Sequence, residues 1–527
     1  MLKIFKFAYM YIYEYKISFY IYTATSLIVS IIAFSIPYLN GKFIDILVYS
    51  DNLKILYFFC FIIIIFNILR LLLGYYNSLI YTRIQSKTGF KLNKDAIIRL
   101  QKTELIKCEN MDMVYNNQII NNDSNTIMMF IIPFIQNFLV NISSILIALF
   151  LVASISRTIF FVMIMCIFLY VFLYKLYREK LYNTNKELTE AKSNFFSTLF
   201  EQLNLISFIK VNNIYTEMKE KLNAKFRSFY KVIIKNQKVN YVFSGLDTII
   251  SIMAQSILVL VAGTLVMKKK ITIGEFTIMS TYFALMLKSA TYFLNLSKSY
   301  ESVKVSYDRI SELMAWNNEK NGNAYINKIK KIELQNITFG YEKSLIFNNL
   351  NMKFEEGNIY ALKGENGVGK STLMKIIMGL YQPEGGVFYN DISINGLDME
   401  KIRRNNIAMC EQQPTILDGT FEDNMFIYEK IESIKSRKLE EFLNISKFLN
   451  SSFSPKNLSG GEKQRITLFR TFIKDADIIL LDEPTAALDK NTERNFYNYL
   501  DSIKKTKIII LISHSEVGKI CDYVYEI

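Results

Sequence analysis

The chain has 527 residues, room for roughly two to four domains, and 51% of them are hydrophobic, which excludes a wholly water-soluble protein and assigns part of the chain to lipid. Its net charge of +14, from 62 basic and 48 acidic side chains, fits the basic cytoplasmic loops of a membrane protein, so no nucleic-acid partner is expected. The five cysteines (Cys60, Cys108, Cys166, Cys410, Cys521) are scattered without a C-x-x-C pair, so neither a disulfide framework nor a zinc site is indicated.

Residues Lys3 to Lys16 are aromatic and basic, the composition of a short helix lying at the membrane interface. No apolar core with a small-residue cleavage site opens the chain, so the first spanning helix is expected to do the targeting. Apolar runs long enough to cross a ~30 Å hydrocarbon core follow at Ile17–Leu39, Ile55–Tyr76, Ile127–Ala153, Thr158–Tyr174, Tyr241–Met267 and Phe276–Leu296. The six spans are joined alternately by short and long connections. The long ones, Arg83–Thr126 and Lys175–Asn240, are rich in Lys and Arg, which predicts that they, the N-terminus and everything beyond span six are cytoplasmic. Lys268, Lys269 and Lys270 run against that bias in a short outer loop. The long connections keep helical periodicity, so helices are expected to continue into the cytoplasm and reverse near Cys108–Asn117 and Val211–Met218, where motion would pass to the rest of the chain.

Arg70 and Lys288 fall inside predicted spans. A charge at that depth is costly and usually faces a bundle interior or a water-filled cavity, which makes the pair a possible substrate cavity for an anionic or polar group. Snorkelling, or pairing with Asp247, is the other reading.

A helix is expected to continue over Lys298–Met314, and the polar run Asn317–Asn323 looks like a domain boundary. Beyond Lys328, short apolar strands (Lys331–Phe339, Ile359–Leu362, Ile478–Leu481, Ile508–Ile512) alternate with helical segments, the pattern of a parallel α/β sheet. Between Ile359–Leu362 and a helix over Thr372–Met378 stands Gly364-Glu365-Asn366-Gly367-Val368-Gly369-Lys370-Ser371, a complete phosphate-binding loop with Thr372 behind it. Its backbone N–H groups cradle phosphates, Lys370 reaches the β/γ-phosphates and Ser371 holds Mg²⁺. Asp482 and Glu483 end a buried strand, where Asp482 meets the metal and Glu483 polarises an attacking water. His514, the sole histidine, follows a third strand and is expected at the terminal phosphate. Leu458-Ser459-Gly460-Gly461-Glu462-Lys463-Gln464-Arg465 opens a helix to about Ile473 and forms a second anion-binding end.

With these residues in view, the chain resembles the ATP-binding cassette exporters, the bacterial half-size type with six spans fused to one nucleotide-binding domain, over nearly its whole length. Leu458–Gln464 looks like the family signature and Ala487-Leu488-Asp489 like its D-loop. His514 matches the switch histidine, Tyr341 the aromatic that stacks on adenine, and Gln412 the glutamine that senses Mg²⁺ and the membrane part. Asn122-Asp123 and Ser306-Tyr307-Asp308-Arg309-Ile310 resemble parts of the exporter membrane domain. The resemblance implies a transmembrane domain over 1–315, a linker over 316–327 and a cassette domain over 328–527. It also implies ATP and Mg²⁺ as cofactors and a second half-transporter, in a homodimer or heterodimer. Each ATP would lie between one chain's loop and the other's Ser459, Gly460, Gly461 and Glu462.

Three departures stand out: Phe453-Ser454-Pro455-Lys456-Asn457 replaces the usual Gly-Glu-Arg-Gly-like segment, Gln412–Leu458 is short, and no further strand or helix is expected after His514. The expected function is ATP-driven export of an amphipathic substrate (peptide, lipid or drug-like) across the cytoplasmic membrane. A membrane-anchored regulatory ATPase is the alternative, and a soluble cassette acting on nucleic acid fails on the six spans.

Overall fold

The computed structural model describes residues 1–50, 52–109, 111, 116–117, 119–341, 344–421, 423–425, 439–448, 452–513 and 520–527. They form two compact units, residues 1–101 with 111–316 and residues 102–110 with 317–527.

The first unit is helical. Helix α1 (Leu2–Ile12) passes through a 3₁₀ turn at Tyr13–Tyr15 into α2 (Lys16–Tyr49), and α3 runs over Leu53–Gln101. After the short helix α4 (Leu105–Glu109), which belongs to the second unit, come α5 (Ser124–Ile155), α6 (Arg157–Asn204), α7 (Ile206–Asn212), α8 (Tyr215–Met267) and α9 (Ile273–Met314). Among the described residues four helical stretches are long and apolar enough to cross a bilayer: Leu2–Tyr49, Leu53–Gln101, Ile119–Ile155 and Tyr215–Met267. Expected spans four and six lie on α6 and α9. Thr277, Ser280, Thr281, Lys288, Ser289 and Thr291 dilute the apolar character of α9, which leaves it outside those four stretches.

Small residues let these helices approach closely. Ala148, Ala254 and Ala262 are buried between α5, α8 and their neighbours. At the start of α9 a Cβ on Gly274 would lie 2.1 Å from the carbonyl of Gly41 on α2. Asp45 accepts from the Gly274 N–H at 2.8 Å and from the Thr272 hydroxyl at 2.9 Å, and Thr272 forms a capping box with Glu275. The segments Asn122-Asp123 and Ser306–Ile310 meet: Ser306 Oγ and Arg309 Nη2 both donate to Asp123 Oδ1 at 2.9 Å. The reversal expected over Val211–Met218 is made by Asn213 in the left-handed region (φ 53°); most of the one expected over Cys108–Asn117 lies outside the described residues.

The second unit holds two sheets. One is antiparallel, order β2-β1-β4-β5, from β1 (Lys331–Tyr341), β2 (Ser344–Glu355), β4 (Glu384–Tyr389) and β5 (Ile392–Ser393). The other is parallel, order β11-β3-β10-β9-β6, from β3 (Ile359–Lys363), β6 (Ile407–Cys410), β9 (Ile478–Asp482), β10 (Ile508–Ile512) and β11 (Tyr523–Glu526). The inner strands β9 and β10 are buried at every position, hence their unbroken apolar runs. Strand β11 corrects the expectation that nothing regular follows His514. It pairs in parallel with β3 at the sheet edge, and its Tyr-Val-Tyr-Glu sequence is mostly exposed, so no apolar run announced it. Helix α10 (Lys370–Ile377) follows β3, α11 spans Met399–Asn405, α12 spans Gly460–Ile473 and α13 spans Lys490–Ile503. A two-stranded pair, β7 (Gly419–Thr420) with β8 (Ser452–Phe453), precedes a 3₁₀ turn at Pro455–Asn457. Segment 102–110 joins this unit through Leu105 and Ile106, which pack on its core, and the Glu319 N–H donates to the Lys102 carbonyl at 2.9 Å.

Candidate nucleotide site

The parallel sheet brings the carboxyl ends of three strands into line: Leu362, Ile512 and Asp482 are in register across β3, β10 and β9. Beyond them opens a cavity of about 970 Å³. Ligands of open α/β sheets bind at this end, because helix N-termini and loop amides point there.

The loop from Gly364 to Gly369 turns on glycines with positive φ. At Gly369 (φ 104°) a Cβ would also lie 2.4 Å from Ile346 Cγ2, so both conformation and space demand glycine. Helix α10 begins at Lys370, two residues before the expected Thr372, so Lys370, Ser371 and Thr372 are its first turn and their N–H groups have no helical acceptor. The Lys370 ammonium is held inside the loop, donating at 2.8 Å to the carbonyls of Gly364 and Glu365.

Ser371 Oγ donates to Asp482 Oδ2 at 2.6 Å. Burial raises the Asp482 carboxyl above the usual carboxylate range and the neighbouring Glu483 charge adds to this, while Ser371 and Lys370 oppose it. Glu483 leaves the strand with φ 47°, and its N–H donates to the Ile512 carbonyl at 3.0 Å. Lys370, Ser371, Gln412, Asp482 and Glu483 all line the cavity, as do Asn366, Gly367, Val368, Gly369 and Thr372. Tyr341 lines it too, with its hydroxyl 3.2 Å from both Thr372 Oγ1 and the Tyr381 hydroxyl. Gly364 and Glu365 border a smaller adjoining cavity. His514 lies outside the described residues.

A hydroxyl and a carboxylate in contact, with the Gln412 carboxamide in the same cavity, are the oxygen donors Mg²⁺ takes when phosphates complete its shell. Among the described residues no group of three His, Cys, Asp or Glu side chains forms a closed metal cage.

Ser459, Gly460, Gly461 and Glu462 are not among the residues lining this cavity. Ser459 caps α12, with Glu462 accepting from the Ser459 N–H at 2.8 Å. A Cβ on Gly461 would sit 2.9 Å from the Ala487 carbonyl. Gln464 Nε2 donates to the Pro484 carbonyl at 3.0 Å, and Arg465 Nη2 to Asp489 Oδ2 at 3.0 Å. Asp489 caps α13 and is held below its ordinary pKa mainly by the Thr492 N–H. The segment Ser459–Arg465 is thus fastened to the residues that follow Asp482 and Glu483.

In the first unit, Lys288 lines a cavity of about 460 Å³, and Arg70 is not among its lining residues. Asp247 accepts from the Thr291 hydroxyl at 3.2 Å and forms no ion pair with Lys288 among the described residues. Arg70 stands exposed on α3, so the structure does not bring the expected pair together in this cavity.

Sequence reasoning missed Glu109, Tyr381 and Lys474. Glu109 Oε1 accepts from Lys375 Nζ at 2.7 Å, and the Tyr381 hydroxyl donates to Glu109 Oε2. Nothing in the spacing of residues 272 positions apart announces that contact. Lys474 is half-buried, its Nζ donating to the carbonyls of Arg403 and of Ile407 at the start of β6, and desolvation pulls its ammonium down to about 8.

A phosphate-loop nucleotide-binding unit and a bundle of long apolar helices in one chain define an ATP-binding membrane protein of the transporter class. The family model described as ABC transporter transmembrane region matches residues 19–290, and the one described as ABC transporter matches residues 347–486. The chain belongs to the ABC transporter family. It is 27% identical over 355 residues to the Lactococcin-G-processing and transport ATP-binding protein LagD of Lactococcus lactis subsp. lactis, covering 64% of this chain and 50% of LagD. It is 33% identical over 270 residues to a probable ABC transporter ATP-binding/permease protein of Haemophilus influenzae, covering 48% and 47%. To the nisin transport ATP-binding protein NisT of Lactococcus lactis subsp. lactis it is 34% identical over 210 residues, covering 37% and 34%. The chain spans about half the length, or less, of these curated relatives. A solved structure of a bacterial Atm1-family ABC exporter with ATP bound superposes with a TM-score of 0.86 at 14% identity, covering 98% of this chain and 94% of that one, a likeness of fold.

Proposed function

We propose that this chain is half of a dimeric, ATP-driven exporter of an amphipathic substrate. The observation that carries the reading is the shared cavity in which Ser371 and Asp482 are in contact and Lys370, Gln412 and Glu483 converge. Lys370 would balance phosphate charge, Ser371, Asp482 and Gln412 would hold Mg²⁺, and Glu483 would take a proton from the attacking water. Bound Mg²⁺ would supply electrostatic stabilisation of the transferring phosphate. Tyr341 would carry the adenine ring, and His514 the terminal phosphate. Because Ser459–Glu462 stand outside the cavity of their own chain, they are assigned to the partner's ATP, which supports a dimer with one composite site on each side. Closing that interface would switch the spans between inward and outward access, with the N-terminus and the cassette in the cytoplasm. Relatives named for the transport of lactococcin-G and nisin put a peptide first among substrates.

The test is vectorial uptake by inverted, sealed vesicles. Fluorescent peptide should accumulate with Mg-ATP and not after Lys370→Ala; hydrolysis without movement of any peptide or lipid would favour a regulatory ATPase. That second reading draws on Phe453–Asn457, which departs from the family pattern just ahead of the signature.

A further inference from the structure

We propose that the cavity around Lys288 binds the carboxylate end of a peptide, with the neighbouring carboxamides holding the last peptide groups. The inference deepens the export reading and rests on it only for calling that peptide a substrate.

Along α9, Lys288, Thr291, Tyr292 and Asn295 recur at the spacing of one helical face, and Asn137 and Asn141 do so on α5. The two helices pack on each other, and all six side chains line one cavity of about 460 Å³. Asn137 and Asn141 lie within an apolar stretch able to cross a membrane. Polar groups at such depth are costly and tend to serve a ligand or pair internally.

Internal pairing accounts for little of this set. Asn141 Nδ2 donates to the Asn137 backbone carbonyl at 2.7 Å, which leaves its own carboxamide oxygen, and Thr291 is turned to Asp247. The Lys288 side chain stands exposed in the cavity, and the lining contains no carboxylate.

The chemistry of the lining selects the ligand. One ammonium matches one carboxylate; a dianionic phosphate would call for more cations. Each Asn side chain offers a donor and an acceptor, the complement of a peptide group. The volume falls within the roughly 300–1,000 Å³ of small-ligand pockets, so it admits the end of a chain.

The experiment uses the full chain in nanodiscs of zwitterionic lipid and a dansylated apolar decapeptide, once with a free C-terminal carboxylate and once as its C-terminal amide. The free acid should bind about tenfold more tightly than the amide, the size expected for a charge-assisted contact. Lys288→Gln should bring the acid down to the level of the amide, and Lys288→Arg should keep most of the preference; a melting curve for each variant checks folding. Asn137→Leu with Asn295→Leu should weaken both peptides about equally. Equal binding of acid and amide to the wild type, a preference unchanged in Lys288→Gln, or no binding of either peptide overturns the proposal. Loss of the preference on adding phosphatidylglycerol assigns the site to a lipid headgroup and overturns it as well. The two readings fail separately: ATP-driven transport with equal affinities removes the carboxylate site alone, and an intact preference without vesicle transport removes export alone.

Discussion

Asp482 and Glu483 are adjacent carboxylates in unlike environments. A carboxyl whose folded pKa is raised weakens the fold while ionised, and that cost is relieved as pH falls through the raised value. Asp482→Asn is therefore expected to raise the melting temperature of the nucleotide-free protein at pH 7.5 while removing Mg-dependent hydrolysis. Glu483→Gln should lower turnover by about 10²–10⁴-fold, the usual contribution of a positioned base, while ATP affinity measured by equilibrium binding stays within about threefold. Gly369→Ala should destabilise the protein by on the order of 1–3 kcal/mol and weaken ATP binding, because φ 104° and the Ile346 contact both oppose a side chain. These residues were legible in sequence because a phosphate loop needs fixed residue types at fixed spacing. Glu109 was not, since its partners Lys375 and Tyr381 are set by tertiary packing.

The inner strands could be read almost to the residue, since strands buried on both faces must be continuously apolar. Of the antiparallel sheet only β1 was read, and it was assigned to the parallel sheet; β4, which opens Glu384-Gly385-Gly386, and β11, on an exposed edge, escaped. Helix α4 also gained its importance only in three dimensions. Glu109 meets Tyr381, whose hydroxyl lies 3.2 Å from that of Tyr341, which in turn lies 3.2 Å from Thr372 in the first turn of α10. A polar chain thus runs from α4 to the edge of the nucleotide cavity. Burial works against the Glu109 carboxylate, yet the hydrogen bonds from Lys375 and Tyr381 outweigh it and hold its pKa down. Tyr381→Phe should weaken ATP binding by about three- to tenfold, the loss of one or two hydrogen bonds, with a larger relative effect on ATP than on inorganic triphosphate, which has no base to stack. Lys474 gives a pH signature for β6. Its folded pKa near 8 lies below the unfolded value, so the fold gains stability as pH rises from about 8 to about 10.5. The stability difference between wild type and Lys474→Met, taken from thermal melts, should show that slope; a flat difference would remove the assigned burial cost.

For the whole molecule, the decisive question is whether ATP sites are shared between chains. If so, Lys370→Ala and Ser459→Glu proteins are each inactive alone, whereas reconstituting them together restores one intact site per mixed dimer. Random pairing should return about a quarter of wild-type hydrolysis. No recovery in confirmed mixed dimers would place both halves of a site in one chain. The transmembrane half was legible as apolar runs, span six among them, even though the polar face of α9 supplies Lys288 to a cavity.

Residues 102–110 leave the helical unit at Gln101 and return to it at Met111, yet they are part of the other unit's core. Glu109 is made 272 residues before Tyr381, so at ordinary rates of synthesis it waits roughly 15–50 s for its partner to emerge. During that interval Leu105 and Ile106 have no core to enter. A cassette expressed as residues 317–527 has the reverse defect, an apolar notch where those two side chains belong, and adding a peptide of residues 102–110 should raise its melting temperature.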